Sequence, residues 1–119
     1  MGIVHVDVVI SNPADPDRGE HLRLLVDTGA TLSVAPRRML ERLAVSPIGR
    51  RDFRGFGGVI SRETGIVSMT YDGATAGVTV VFGEEDDPPI LGVTALESLG
   101  YQVDPVSGEL KPSEMLLLQ

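Results

Sequence analysis

The stretch LRLLVDTGATLSVAP, residues 22–36, decides how the chain is read. The apolar run Leu24-Leu25-Val26 drives Asp27 toward an interior, and Thr28, Gly29 and Ala30 follow at once. Carboxylates are almost never fully buried without a partner. A lone buried one either costs several kcal/mol or stays protonated. In one reading Asp27 merely opens a surface turn. In the other, the strand exists to present Asp27 to a second carboxylate. Two carboxylates in contact share a proton, and their proton losses split into a low and a high step. Such a pair holds one water as nucleophile while donating a proton to a carbonyl. Thr28 offers a hydroxyl that ties the loop to a neighbour. Gly29 permits close backbone approach. Ala30 leaves room beside the carboxylate.

The flanking sequence reads mostly as strands. Val4, Val6, Val8 and Ile10 share one parity and His5 and Asp7 the other, which marks a half-buried strand over residues 3–11. Residues 12–20, NPADPDRGE, read as a polar loop, and residues 21–27 as the hairpin partner of the first strand. The alternation in TLSVAP points Leu32 and Val34 inward. Pro36 opens a short helix whose apolar face is Met39, Leu40 and Leu43. Residues 48–65 read as a strand, a glycine-rich tip and a returning strand. Residues 66–83 form a hairpin around Asp72-Gly73, a strong two-residue turn signal. EEDDPP, residues 84–89, reads as a solvated connection. Ile90, Leu91 and Gly92 form a short apolar strand. Residues 94–100 read as a helix with Thr94 as N-cap, Glu97 completing a capping box and Gly100 as C-cap. A last hairpin turns through Pro105–Gly108, and the tail ends in the apolar run Met115–Leu118. The pattern predicts one domain over residues 1–119. Its class is all-β, a small closed barrel-like fold with one or two short helices.

Composition narrows the function. The 119 residues carry a net charge of −7, which argues against nucleic acid or an anionic membrane as the main partner. With 4% aromatic residues, the core has to come from Val, Leu, Ile and Ala. No cysteine is present, so disulfides and thiolate metal sites are excluded, and a cytoplasmic location is expected. His5 and His21 read as surface strand residues rather than zinc ligands. No metal or cofactor is expected. Arg50, Arg51 and Arg54 read as a solvated face. No G-x-S-x-G pattern supports a serine nucleophile.

The segment LLVDTGATLSV resembles the active-site segment of the retropepsin-like aspartic proteases. GFGGVI, comprising Gly55, Phe56, Gly57, Gly58, Val59 and Ile60, resembles the flap tip of the retroviral enzymes. PILGVTALESLG, residues 89–100, resembles their second apolar-Gly segment followed by a helix, with Ile90, Leu91 and Gly92 as its core. Order and spacing agree, and the hairpin VDPVSGELKP is similar to that of small bacterial and archaeal members. The resemblance implies an aspartic endopeptidase with Asp27 as its catalytic residue and no cofactor. It implies a homodimer with one Asp27 from each chain. It also implies that Thr28 bonds across the two-fold axis, and that an extended peptide pairs as an added strand beneath a closing flap. The single DTG in the chain independently demands a second copy for any dyad. Two positions depart from the retroviral pattern. Thr31 and Val93 stand where those enzymes carry a paired Asp and Arg, so a dimer held by other, weaker contacts is expected. The segment from Asp27 to the flap is also longer. Three other readings stay open. The glycines of the tip also suit a hairpin with no gating role, and Gly92 suits plain close packing. The whole chain also suits a catalytically idle peptide-binding or dimerisation module on the same fold.

Overall fold

Alternation builds the first wall of the core. Along β1 (His5–Asn12) the side chains of Val6, Val8 and Ile10 are buried while His5 and Asp7 face water. β1 pairs antiparallel with β2 (Asp15–Val26), bringing Leu24 opposite Val6. The computed structural model describes residues 3–55 and 57–114. Phe56 and the apolar run Met115–Leu118 lie outside the described residues.

β2 starts earlier than the polar sequence 12–20 suggests. The turn is only Pro13-Ala14, with the Ala14 N–H donating to Asn12 Oδ1 at 2.9 Å. Asp15–Glu20 is polar because it is a largely exposed strand, and ladder bonds come from the backbone. The Asn12 amide also donates to the carbonyls of Leu43 and Ala44, pinning this hairpin to the end of the first helix.

β3 (Ser33–Pro36) runs straight into α1 (Arg37–Arg42), so Pro36 is the cap residue rather than the first helical one. The inward residues of this segment are Leu32, Ser33 and Ala35, and Val34 is only half-buried. β4 (Gly49–Gly55) and β5 (Gly58–Tyr71) form a long hairpin, and β5 returns through Asp72-Gly73 to β6 (Ala74–Gly83). Asp72 and Gly73 both have positive φ, 48° and 83°, the backbone that a tight two-residue turn requires. β7 is the short Ile90–Leu91. α2 (Val93–Leu99) begins after Gly92 and ends at Gly100 in the left-handed conformation. The expected Thr94 capping box is absent. Thr94 Oγ1 instead donates to the Thr31 carbonyl at 2.7 Å, so its hydroxyl serves the loop before β3. β8 (Tyr101–Val103) and β9 (Leu110–Pro112) make a separate two-stranded sheet.

The expected closed all-β barrel is overturned. Among the described residues the sheet has seven strands, in the order β1-β2-β7-β3-β6-β5-β4. It is curled by a three-residue contact of β1 with β5, but among the described residues β4 bonds only to β5 and leaves its other edge open. Two pairings, β2–β7 and β3–β6, are parallel, so the sheet is mixed. The helices are part of the core: Met39 and Leu40 from α1, and Ala95, Leu96 and Leu99 from α2, pack with Val67, Met69, Val80, Phe82 and Leu91. Each fully buried Val or Leu contributes roughly 1.5–3 kcal/mol.

Candidate active site

The site is assembled where β2 ends. Asp27 leaves the strand with its N–H donating to the Leu91 carbonyl at 3.0 Å, because β7 runs parallel beside β2 with Val26 opposite Leu91. The Ala30 N–H donates back to the Asp27 carbonyl, and the Gly29 N–H donates to Asp27 Oδ1 at 2.9 Å. The carboxylate is therefore oriented by its own loop. Asp27 is half-buried in the single chain, not sunk into the core as the apolar run before it suggests.

The second apolar-Gly segment braces this loop. The Val93 N–H donates to the Ala30 carbonyl at 2.8 Å, and the Thr94 N–H to the Thr31 carbonyl at 3.1 Å. The Gly92 N–H donates to the buried Ser33 Oγ at 2.9 Å. Leu91 itself is a core residue, fully buried. Where an Asp–Arg pair was absent from the sequence, at Thr31 and Val93, the structure has these backbone bonds.

Asp27, Gly29 and Ala30 open onto a cleft of about 730 Å³ roofed by the β4–β5 hairpin. Gly55 and Ile60 from that hairpin, and Ile90 from β7, share its lining. Gly57 and Gly58 sit at the exposed hairpin end, with Gly58 at φ 108°. Val59 is exposed and does not line the cleft. Thr28 is exposed and borders two other clefts, of about 570 and 310 Å³.

Several lining residues escaped the sequence reading. Val34 faces the cleft, and so do Phe53 and Arg62 of the hairpin. Period-two counting from Ile60 puts Arg62 on the same face of β5, so that signal was available. The 84–89 segment is not a plain solvated connection. Asp87 and Pro88 form a wall of the cleft, Asp87 pairs with Arg62, and Glu84 pairs with Arg37 at 3.0 Å. Arg37 also bonds Glu63 and stands 5.0 Å from the Phe82 ring centre. The Arg62 guanidinium holds the Asp87 carboxyl below its ordinary range, with partial burial opposing. Among the described residues no three His, Asp or Glu side chains cluster as a metal site would require.

The aspartyl protease family matches residues 13–95, a span that includes the Asp27 loop, the hairpin roof and the Gly92 brace. The chain belongs to this aspartyl protease family. It is an aspartic-type endopeptidase, working by carboxylate-activated water, and its fold is retropepsin-like. Among solved structures it is similar to the simian foamy virus (mac) protease, with a TM-score of 0.57 and 18% identity over 79% of this chain and 92% of that one. It is also similar to the EIAV protease complexed with the inhibitor HBY-793, with a TM-score of 0.59 and 22% identity over 98% of this chain and 94% of that one. At these identities the two likenesses speak for the fold. No curated protein matches the sequence. Among the described residues of this aspartyl protease no helix is long and apolar enough to cross a membrane.

Proposed function

We propose that this aspartyl protease cleaves extended peptides as a homodimer, with one Asp27 from each subunit forming the dyad. The observation that carries this reading is the Asp27 carboxylate, oriented by Gly29 and opening onto the cleft under the β4–β5 hairpin. One ionised carboxylate takes a proton from water as the water oxygen attacks the peptide carbonyl carbon. The neutral partner carboxyl gives its proton to the carbonyl oxygen. Collapse of the resulting tetrahedral species returns a proton to the leaving amine. Thr28, Gly29 and Ala30 shape the loop, with Thr28 bonding across the two-fold axis. Gly55, Gly57, Gly58, Val59 and Ile60 close over the substrate as a flap, and Ile90, Leu91 and Gly92 support the floor.

Two features support the dimer. The chain carries a single DTG, and the two clefts beside Thr28 are lined by half-buried apolar Val4, Leu25, Val93 and Val103, a surface suited to a second copy. With no Asp–Arg pair at Thr31 and Val93, we read the dimer as weaker than that of the retroviral enzymes. We further read residues 1–119 as a single protease domain. A cytoplasmic setting and kinship with the small bacterial and archaeal members also belong to this proposal, resting on the cysteine-free composition and the 103–112 hairpin.

The test is cleavage of a peptide library at about pH 4 to 7, wild type against Asp27→Asn. The expected result is a bell-shaped pH profile for the wild type and a loss of about 10²-fold or more in the variant. Binding without turnover in both proteins would favour the idle peptide-binding module instead.

A further inference from the structure

The cleft contains one charged pair that joins its roof to its wall. Arg62 lies on β5, the returning strand of the hairpin, and Asp87 lies in the 84–89 segment that leads into β7. Arg62 Nε donates to Asp87 Oδ2 at 2.8 Å and Nη2 to Oδ1 at 3.3 Å, a two-pronged contact. Both side chains are 22% exposed, and both line the cleft that holds Asp27. The pair is secured from behind. Asp87 Oδ2 also accepts the Glu84 N–H at 2.8 Å, and Arg62 Nη1 donates to the Ser61 carbonyl at 3.0 Å. A guanidinium has five N–H donors in a rigid fork, and its partners among the described residues take three. Arg62 therefore retains donors for a ligand, while its charge is offset by Asp87.

We infer that the Arg62–Asp87 pair sets the side-chain selectivity of one pocket of the cleft, admitting a neutral hydrogen-bonding side chain and rejecting an acidic one. The inference rests on the peptide-cleaving reading above. A substrate carboxylate approaching Arg62 would meet Asp87 already on the fork, with Glu84 bonded to it through the backbone. It would have to displace a charged acceptor or accept like-charge repulsion. An amide or hydroxyl meets the spare donors at no such cost. Removing the Asp87 charge frees the fork for an acidic side chain. The pair also joins β5 to the 84–89 segment, so Asp87 and Arg62 act as positioning residues for that pocket.

The experiment measures binding, so that it does not depend on turnover. Asp27→Asn protein is titrated with eight-residue Val/Ala peptides in which each position in turn is Glu, Gln or Lys. The same titrations are made on Asp27→Asn/Asp87→Asn, and on that protein with Arg62→Gln added. At the peptide positions that face the pair, two in a two-fold dimer, the Asp87→Asn change is expected to raise the Glu-to-Gln affinity ratio by about tenfold, the scale of one charge-assisted hydrogen bond. Adding Arg62→Gln is expected to abolish that gain. Equal shifts at every position, or a gain that survives Arg62→Gln, would overturn the proposal and leave the protease reading intact. Failure of every peptide to bind would overturn the selectivity proposal, and would overturn the peptide-cleaving reading too only if the unmodified protein also leaves those peptides uncut. Cleavage by the unmodified protein, measured in parallel, separates the two failures.

Discussion

A Cβ added to Gly92 would stand 2.6 Å from both the carbonyl carbon and oxygen of Leu32, and 3.0 Å from the Ala30 oxygen. Those neighbours are backbone, so they cannot rotate away. Gly92→Ala must move the loop that holds Asp27, and the expected cost is about 1–3 kcal/mol or more in urea unfolding. Turnover is expected to fall with it, because the Ala30 and Thr31 carbonyls are the acceptors that α2 braces. Ser33→Ala tests the same joint from the other side. It leaves the buried Gly92 N–H without its acceptor and is expected to cost about 1–3 kcal/mol. Unchanged unfolding midpoints in both variants would mean that the loop is not held from β7. The apolar approach to Asp27 and the glycines around it were legible in the sequence. Ser33 was not: alternation put Leu32 and Val34 inward. A buried serine makes sense only once Gly92, fifty-nine residues on, supplies its donor.

Ion pairs act on the scale of elements, because each joins segments far apart along the chain. Arg37 ties the start of α1 to Glu63 on β5 and to Glu84, and Arg62 ties β5 to Asp87. The carboxyls of Asp87 and Glu84 are held below their ordinary ranges, chiefly by hydrogen bonds from Arg62 and Arg37. A carboxyl whose folded value is depressed binds its proton more readily in the unfolded chain. Its contribution is full above the unfolded value and is lost as pH falls through the folded one. Melting temperature is therefore expected to hold from neutral pH down to about pH 5 and to fall below about pH 4. Asp87→Asn is expected to melt lower at neutral pH and to fall less steeply in acid. Identical acid slopes in the two proteins would remove the pair from the account. This tie was not visible in EEDDPP, since composition reports solvation and not what stands across a cleft. The 66–83 hairpin was legible because Asp72-Gly73 specifies its own turn. The Asp15–Glu20 stretch was not, because an exposed strand carries no apolar alternation.

On the scale of the molecule, alternation reveals which face of a strand is buried but not which strand lies beside it. The parallel pairings β2–β7 and β3–β6, and the open edge at β4, follow from segments far apart in sequence, so an open mixed sheet was read as a closed barrel. The same gap separates one chain from the proposed pair. If each dyad takes one Asp27 from each subunit, Asp27→Asn protein must inhibit wild type by joining it. With free exchange in the dimeric regime, an equal amount of variant leaves about one quarter of dimers fully wild type, so a fixed amount of wild type loses about half its activity. A ninefold excess leaves it about one tenth. A weak dimer adds a second signature, a specific activity that rises with protein concentration, because mass action fills the dimeric state. A monomeric catalyst gives neither result. Its activity is unchanged by the variant and strictly proportional to its own concentration, and that outcome would move the catalytic machinery inside one chain.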